Sequence, residues 1–379
     1  MKTTLHHVLA PTAIARLLTG WGAVLVLQLV GDLLTPPVPA GRLVTALVLI
    51  VGVILVAAGG VVHQAERLAD RLGDPYGSLV LTLSIVVIEV VLICAVMLGP
   101  GEHATIARDS VMAVSMIILN LVIGVCLLVG GLRHGHLEHH RAGVSVYLSL
   151  LTVLGALAFA LPAAIGTDGA YRTWQEIPVV ALTVGTYAFF LVRQTGAQAA
   201  DFTEVDPRFR SEPVPAARET DRTGSDTGPR GEVAVRLVLL VATALPVVLL
   251  SHEMAALLDD GLGRLGAPPA LAGVLIAAIV FLPESITSVR AARAGQMQRV
   301  SNLCHGALVS TLGLTIPAVL VIGLLTGQPV VLAESPVNLM LLGLSLLLSA
   351  LTFAAPRVTA VHGAAHLVLF SVYVLTLFS

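Results

Sequence analysis

Charge is what this 379-residue chain has least of: Asp, Glu, Lys and Arg make up 12% of it, against 56% hydrophobic residues. With a mean hydropathy of +0.93, it has too little polar surface for a soluble globular protein and belongs in a lipid bilayer. Aromatic residues are scarce as well, at 4%, so packing must rely on Leu, Val, Ala and the 35 glycines that let membrane helices approach closely. The three cysteines, Cys94, Cys126 and Cys304, all fall in apolar runs without zinc-type spacing, which argues against a disulfide framework and a thiolate metal site. No small-residue cleavage site follows the N-terminal Lys2, His6, His7 and Arg16, so the first apolar stretch reads as a retained helix. No nucleic-acid partner and no cofactor is expected.

Runs long enough to cross about 30 Å of hydrocarbon occur near 14–34, 43–62, 77–98, 109–131, 144–165, 177–194, 233–251, 270–292, 301–325, 337–355 and 359–378. The expected fold class is an all-α integral membrane protein of about 11 transmembrane helices. With that count, seventeen of the 21 Lys and Arg residues fall on one side; only Arg42, Arg108, Arg172 and Arg264 fall on the other. The positive-inside rule then puts the N-terminus in the cytoplasm of a bacterial plasma membrane and the C-terminus outside.

Residues 195–232 interrupt the apolar pattern with Asp201, Glu204, Asp206, Glu212, Glu219, Asp221, Asp226 and Glu232, five arginines and four prolines. Such a stretch has no apolar face to bury and reads as a charged cytoplasmic linker, with an acidic, cation-gathering loop as the functional alternative. It divides the chain into 1–42 with an extra first helix, a first repeat at 43–194, the linker at 195–232, and a second repeat at 233–379. Five helices per repeat is an odd number, so the halves are inverted, an arrangement that places ion sites at the midplane between them.

Glu89 and Glu284 carry the chemistry. Each lies on the second helix of its half, preceded by Arg71-Leu72-Gly73-Asp74-Pro75 in one case and Arg264-Leu265-Gly266-Ala267-Pro268 in the other. Both sit about 18–21 Å along their helices, near mid-membrane. An ionisable group there costs roughly 2.5–3.5 kcal/mol or more, so a carboxylate in that place faces a partner, a cavity or an ion. The plainer alternative is a hydrogen bond to a neighbouring helix. Pro283 removes a backbone donor beside Glu284 and should disrupt its helix; Glu89 has no such neighbour. Ser84, Ser115, Asn120, Ser301, Asn302, Ser310 and Thr311 are the nearby neutral oxygen donors of the kind that Ca²⁺, Na⁺ or K⁺ requires. Asn120 is the costliest of these to bury. Single hydroxyls more often satisfy a local carbonyl.

The histidines are weaker candidates. His305 shares a helix with Ser310 and is a candidate proton relay. His134, His136, His139 and His140 cluster with Glu138 in a loop, where solvation competes with metal binding. His252 begins an HExxH-like string, but Ala256 stands where the second His must be. His362 and His366 are spaced to ligate a haem or metal, which supplies a distant alternative reading as a membrane redox protein.

The segments Gly73-Asp74-Pro75-Tyr76-Gly77 through Glu89, Gly266-Ala267-Pro268 through Glu284, Gln298-Arg299-Val300-Ser301-Asn302-Leu303 and Gly313-Leu314-Thr315-Ile316-Pro317 resemble the bacterial calcium/proton antiporters. These belong to the cation/calcium exchanger superfamily. The resemblance implies two inverted repeats, a cation held between Glu89 and Glu284, an Asn ligand at Asn120, and exchange of inorganic cations for protons by alternating access. Calcium-selective members carry Gly-Asn-x-x-Glu in each repeat. Here Val86 and Phe281 stand three residues before the glutamates, a pattern that resembles the branch exchanging Na⁺ and K⁺ for protons.

Overall fold

The computed structural model describes residues 11–34, 37–72, 104–205, 229–267 and 269–378, with seven isolated helical positions between 79 and 93. Ser78, Thr82, Ser84 and Cys94 lie outside the described residues. Eight described helices are long and apolar enough to cross a membrane, and the apolar Ala360–Thr376 is shorter. At 17 residues it spans about 25 Å. The expected span at 77–98 falls largely outside the described residues, and the one at 270–292 is broken in two. The chain divides into two compact units.

The first unit comprises residues up to Ile88 and Ser211–Pro283. It contains α1 (Pro11–Val30), α2 (Ala40–Leu72), α6 (Pro229–Arg264) and α7 (Pro269–Val280). Val24, Ile50 and Ile54 pack against Val247, Leu250 and Met254 in a core with few polar atoms. Small residues set the close approaches. A Cβ on Gly20 would lie 3.0 Å from Pro246, and one on Gly60 would lie 2.9 Å from Thr243. The Trp21 indole donates to Ala242 O at 3.0 Å, supplying a backbone partner beside Pro246.

The second unit comprises Glu89–Arg210 and Glu284–Ser379. It contains α3 (Ile106–His134), α4 (Arg141–Ile165), α5 (Thr173–Thr195), α8 (Leu282–Ala294), α9 (Met297–Thr326), α10 (Pro336–Ala354) and α11 (Ala360–Thr376). At the middle of α3, residues Ile117–Val122 are π-helical, and so are Ala156–Ala160 of α4. Buried residues surround α9 on almost every side, which is why its run of Ser, Thr, Asn and His must find partners within the protein. Glycine lets α3 and α11 cross in contact: a Cβ on Gly363 would lie 2.6 Å from Gly124 O.

Helix α5 runs to Thr195, and the chain beyond it does not immediately become the solvated linker expected from composition. Ala199–Phe202 forms a 3₁₀ turn. Phe202 is 1% exposed, set against the rings of Tyr147 and Phe190 at 5.2 and 6.0 Å. Its carbonyl accepts from Asn302 Nδ2 at 2.6 Å, and Glu204 Oε2 accepts from Arg299 N in the first turn of α9. Among so many charges, one phenylalanine and one capping glutamate are invisible to composition. The stretch that keeps linker composition without an observed contact is therefore 206–228, which lies outside the described residues. Replacing it with a Gly/Ser chain of equal length should leave at least about half of the transport rate, because so polar a stretch lacks apolar surface to bury. Loss of transport in correctly inserted protein would make those residues part of the mechanism.

Candidate functional site

Helices α7 and α8 are separated at Phe281, so Pro283 stands where the helix restarts and Glu284 lies in the first turn of α8. The positive dipole end of a helix favours negative charge there. Glu89 and Glu284 both belong to the second unit. They are 7% and 2% exposed and lie within electrostatic reach of one another. Glu89 Oε2 accepts from Thr311 Oγ1 at 3.0 Å, whereas Glu284 Oε2 has no hydrogen-bond partner among the described residues. A buried carboxylate oxygen without a partner is the most costly polar atom in such a place, and a cation or a proton would satisfy it.

The neutral candidates separate into three groups. Thr311 joins Glu89. Asn120, inside the π-helical turn of α3, donates Nδ2 to Ser345 Oγ at 2.7 Å, and its Oδ1 has no partner among the described residues; a π-turn exposes backbone and re-aims side chains, often at functional sites. Ser310 points elsewhere: it accepts from Tyr187 OH at 3.0 Å and donates to Gly306 O at 2.8 Å, so it is not brought to the carboxylates. Ser115 donates to its own helix at Val111 O. Ser301 pairs with His305 Nδ1 at 2.9 Å. Asn302 is held by Gln298, Tyr147 and Phe202.

Sequence reasoning missed Thr315 and Ser288. Thr315 lies one turn beyond Thr311, fully buried, with Oγ1 unpartnered among the described residues. It follows Glu284 by 31 residues (315 − 284), and Asn120 follows Glu89 by the same 31 (120 − 89). That equal offset was the available signal. Ser288, one turn after Glu284, accepts from Cys304 Sγ at 3.5 Å, and Cys304 is within electrostatic reach of Glu284. A further buried carboxylate, Glu334, caps α10 through Ser335 N and Asn338 Nδ2 and lies 4.0 Å from Arg108. Burial pushes its carboxyl above the usual value, and these partners oppose the shift.

The loop histidines do not converge. His134 pairs with Arg293 O at 3.0 Å and His139 with Phe353 O at 2.9 Å; burial holds the His139 imidazole below its ordinary value. Among the described residues no three His, Cys, Asp or Glu side chains are placed to hold a metal ion together. His362 Nδ1 accepts from Thr359 N at 3.1 Å, closing the start of α11, and His366 Nε2 pairs with Thr352 Oγ1 at 3.2 Å. The His252 side chain lies outside the described residues.

The sodium/calcium exchanger protein family matches residues 42–196 and 235–379. A protein of Sinorhizobium fredii assigned as an ionic transporter, y4hA, is 36% identical over 337 residues, 88% of this chain and 89% of that one. The sodium-potassium/proton antiporter ChaA of Escherichia coli is 30% identical over 331 residues, 86% of this chain and 87% of ChaA. Among solved structures, native YfkE superposes with a TM-score of 0.66 over 97% of this chain and 99% of its own, and the H⁺/Ca²⁺ exchanger CAX with 0.64 over 96% and 89%. Each is 14% identical and so is similar in fold alone.

Proposed function

The chain belongs to the sodium/calcium exchanger family, a multi-pass membrane transporter rather than an enzyme, and from that premise we propose that it exports cations in exchange for protons at Glu89 and Glu284. Ca²⁺ is the first cation, with Na⁺ and K⁺ also carried. The reading rests above all on two buried carboxylates in electrostatic reach, one of them with an oxygen unpartnered among the described residues. One Ca²⁺ or two protons neutralise the pair. Either loaded state crosses a low-dielectric interior at far lower cost than the empty dianion, so the empty protein does not turn over and exchange is coupled. Thr311, Asn120 and Thr315 supply neutral oxygens, while Ser310 positions Tyr187. The inverted halves at 43–194 and 233–379 alternate access to the site, with the N-terminus cytoplasmic and the C-terminus outside.

A second reading, a Na⁺ or K⁺/proton antiporter with little Ca²⁺ transport, is favoured by Val86 and Phe281. These occupy positions where an amide would add an oxygen ligand for a divalent ion, and losing ligands lowers selectivity for Ca²⁺. Proton movement in everted vesicles, with Ca²⁺, Na⁺, K⁺ and Mg²⁺ added in turn, separates the two. No cation-driven proton movement with any of them would refute both. Thr311→Val tests the neutral shell: a hydrogen bond to a charged group contributes about 1.5–3 kcal/mol, so the half-saturating cation concentration should rise about tenfold or more. An unchanged value would remove Thr311 from the site.

A further inference from the structure

Five of the eleven buried side-chain atoms that lack a hydrogen-bond partner among the described residues lie along one seam of the second unit. They are His139 Nδ1, His305 Nε2, His366 Nδ1, Ser349 Oγ and Asn120 Oδ1. The seam can be followed contact by contact. In the loop before α4, the His139 ring meets Phe353 edge-on at 5.1 Å, and the His305 ring meets the same Phe353 edge-on at 5.2 Å. His305 lies within electrostatic reach of His366, whose Nε2 pairs with Thr352 and whose ring also meets the backbone of Leu119, next to Asn120. Thr352, Ser349 and Ser345, all at 0% exposure, repeat on one face of α10. Ser345 then receives the Asn120 amide, at the middle of the 29-residue span Ile106–His134.

We propose that this seam is a hydrated proton path, distinct in its histidines and hydroxyls from the carboxylate pair, leading from the His139 loop to Asn120 at the edge of the proposed cation site. Buried polar atoms without protein partners are the usual ligands of internal water, which needs two to four of them. Water between imidazoles and hydroxyls passes protons by exchange: each group accepts one proton and releases another, with nothing consumed. His139 is oriented for this, because Nε2–H donates to Phe353 O and Nδ1 is left as the acceptor.

The lining also explains why the path would carry protons rather than cations. His305 is faced by Ser301 on its own helix, Tyr147 of α4, Phe353 of α10, His366 of α11 and His139 of the loop. His139 has Arg141 and His140 within electrostatic reach, and His366 has His362. Glu138, next to His139 at the loop end, is engaged by Arg357 at 3.6 Å, the groups along the buried part of the seam include no carboxylate, and the positive Arg141 disfavours metal ions at the entrance. The inference rests on the proton-coupled reading of the carboxylate site.

Purified protein in liposomes with an entrapped pH dye tests it through two rates: Na⁺- or Ca²⁺-driven proton flux, and cation-for-cation self-exchange at equal pH on both sides. Thr352→Val removes one hydroxyl at constant shape, and His305→Gln removes the imidazole while keeping an amide. Each should slow proton-coupled flux about tenfold or more, the scale of a lost proton-transfer group, and leave self-exchange within about twofold. An equal fall in both rates, or no change in either, would overturn the seam. Wild-type proton coupling that both variants retain would overturn the seam alone; wild-type cation exchange without proton movement would overturn the antiport reading and the seam with it.

Discussion

Glu284→Gln is expected to reduce cation-driven proton movement by about a hundredfold or more, the scale on which breaking a buried charge pairing is felt, while the protein remains folded and inserted. The amide preserves volume and polarity, but it cannot take up a proton or offer a negative oxygen. Among the described residues Glu284 Oε2 has no hydrogen-bond partner, and an amide oxygen can still accept the backbone N–H that the carboxyl meets, so a functional defect would not be explained by a broken internal contact. Glu89→Gln should behave alike for a related reason: an amide oxygen still accepts the Thr311 hydroxyl that now reaches Glu89 Oε2 at 3.0 Å. Thermal stability in detergent and vesicle flux, measured on the same preparations, provide the comparison. Near-normal exchange at saturating cation in either variant would remove that residue from the proposed site.

The two glutamates were legible because their surroundings are so apolar that an ionisable side chain stands out on hydropathy alone, and their shared preamble marked them as a pair. The same contrast picked out Asn120. Hydroxyls give no such signal. Ser310 and Thr311 are adjacent, yet about 100° of helical rotation sends one to Tyr187 and the other to Glu89, and a sequence pattern does not say which face meets which neighbour. The π-turn around Asn120 was equally hidden, since its extra residue per turn is stabilised by tertiary contacts and not by local propensity.

Helix breaks and loop packing divide in the same way. Pro283 announced the interruption before Glu284, because a missing N–H and a ring clash are local facts; the restart of the helix with Glu284 in its first turn required coordinates. Phe202 and Glu204 lie in a segment whose average composition is that of a solvated linker, and their seats against Tyr147 and Arg299 are made by residues far away in sequence. Conversely, the His362 and His366 spacing looked like a ligand pair only while their threonine partners, Thr359 and Thr352, were unknown.

Apparent cation affinity should strengthen steeply as pH rises through about two units around neutrality. An exchanger that loads protons and cations on the same carboxylates must bind and release those protons within the pH range where it works, so the two ligands compete there. The sign follows directly: lower pH fills the pair with protons and weakens cation binding, and higher pH frees the carboxylates and strengthens it. Two carboxylates that share one cation titrate as a pair wherever they interact strongly, and the protons then belong to the pair. One bound Ca²⁺ displaces up to two protons, so half-saturating Ca²⁺ should fall by more than tenfold per pH unit at the steepest point, up to about a hundredfold at the two-proton limit. A single-carboxylate site could not exceed tenfold. Vesicle assays of half-saturating Ca²⁺ and Na⁺ between about pH 6.5 and 8.5 read this slope around the raised range documented for buried acids in general. The Na⁺ curve should be shallower wherever one monovalent ion displaces one proton. Affinities that stay level across the range would exclude a site shared by cations and protons, whatever the effect of the glutamine variants.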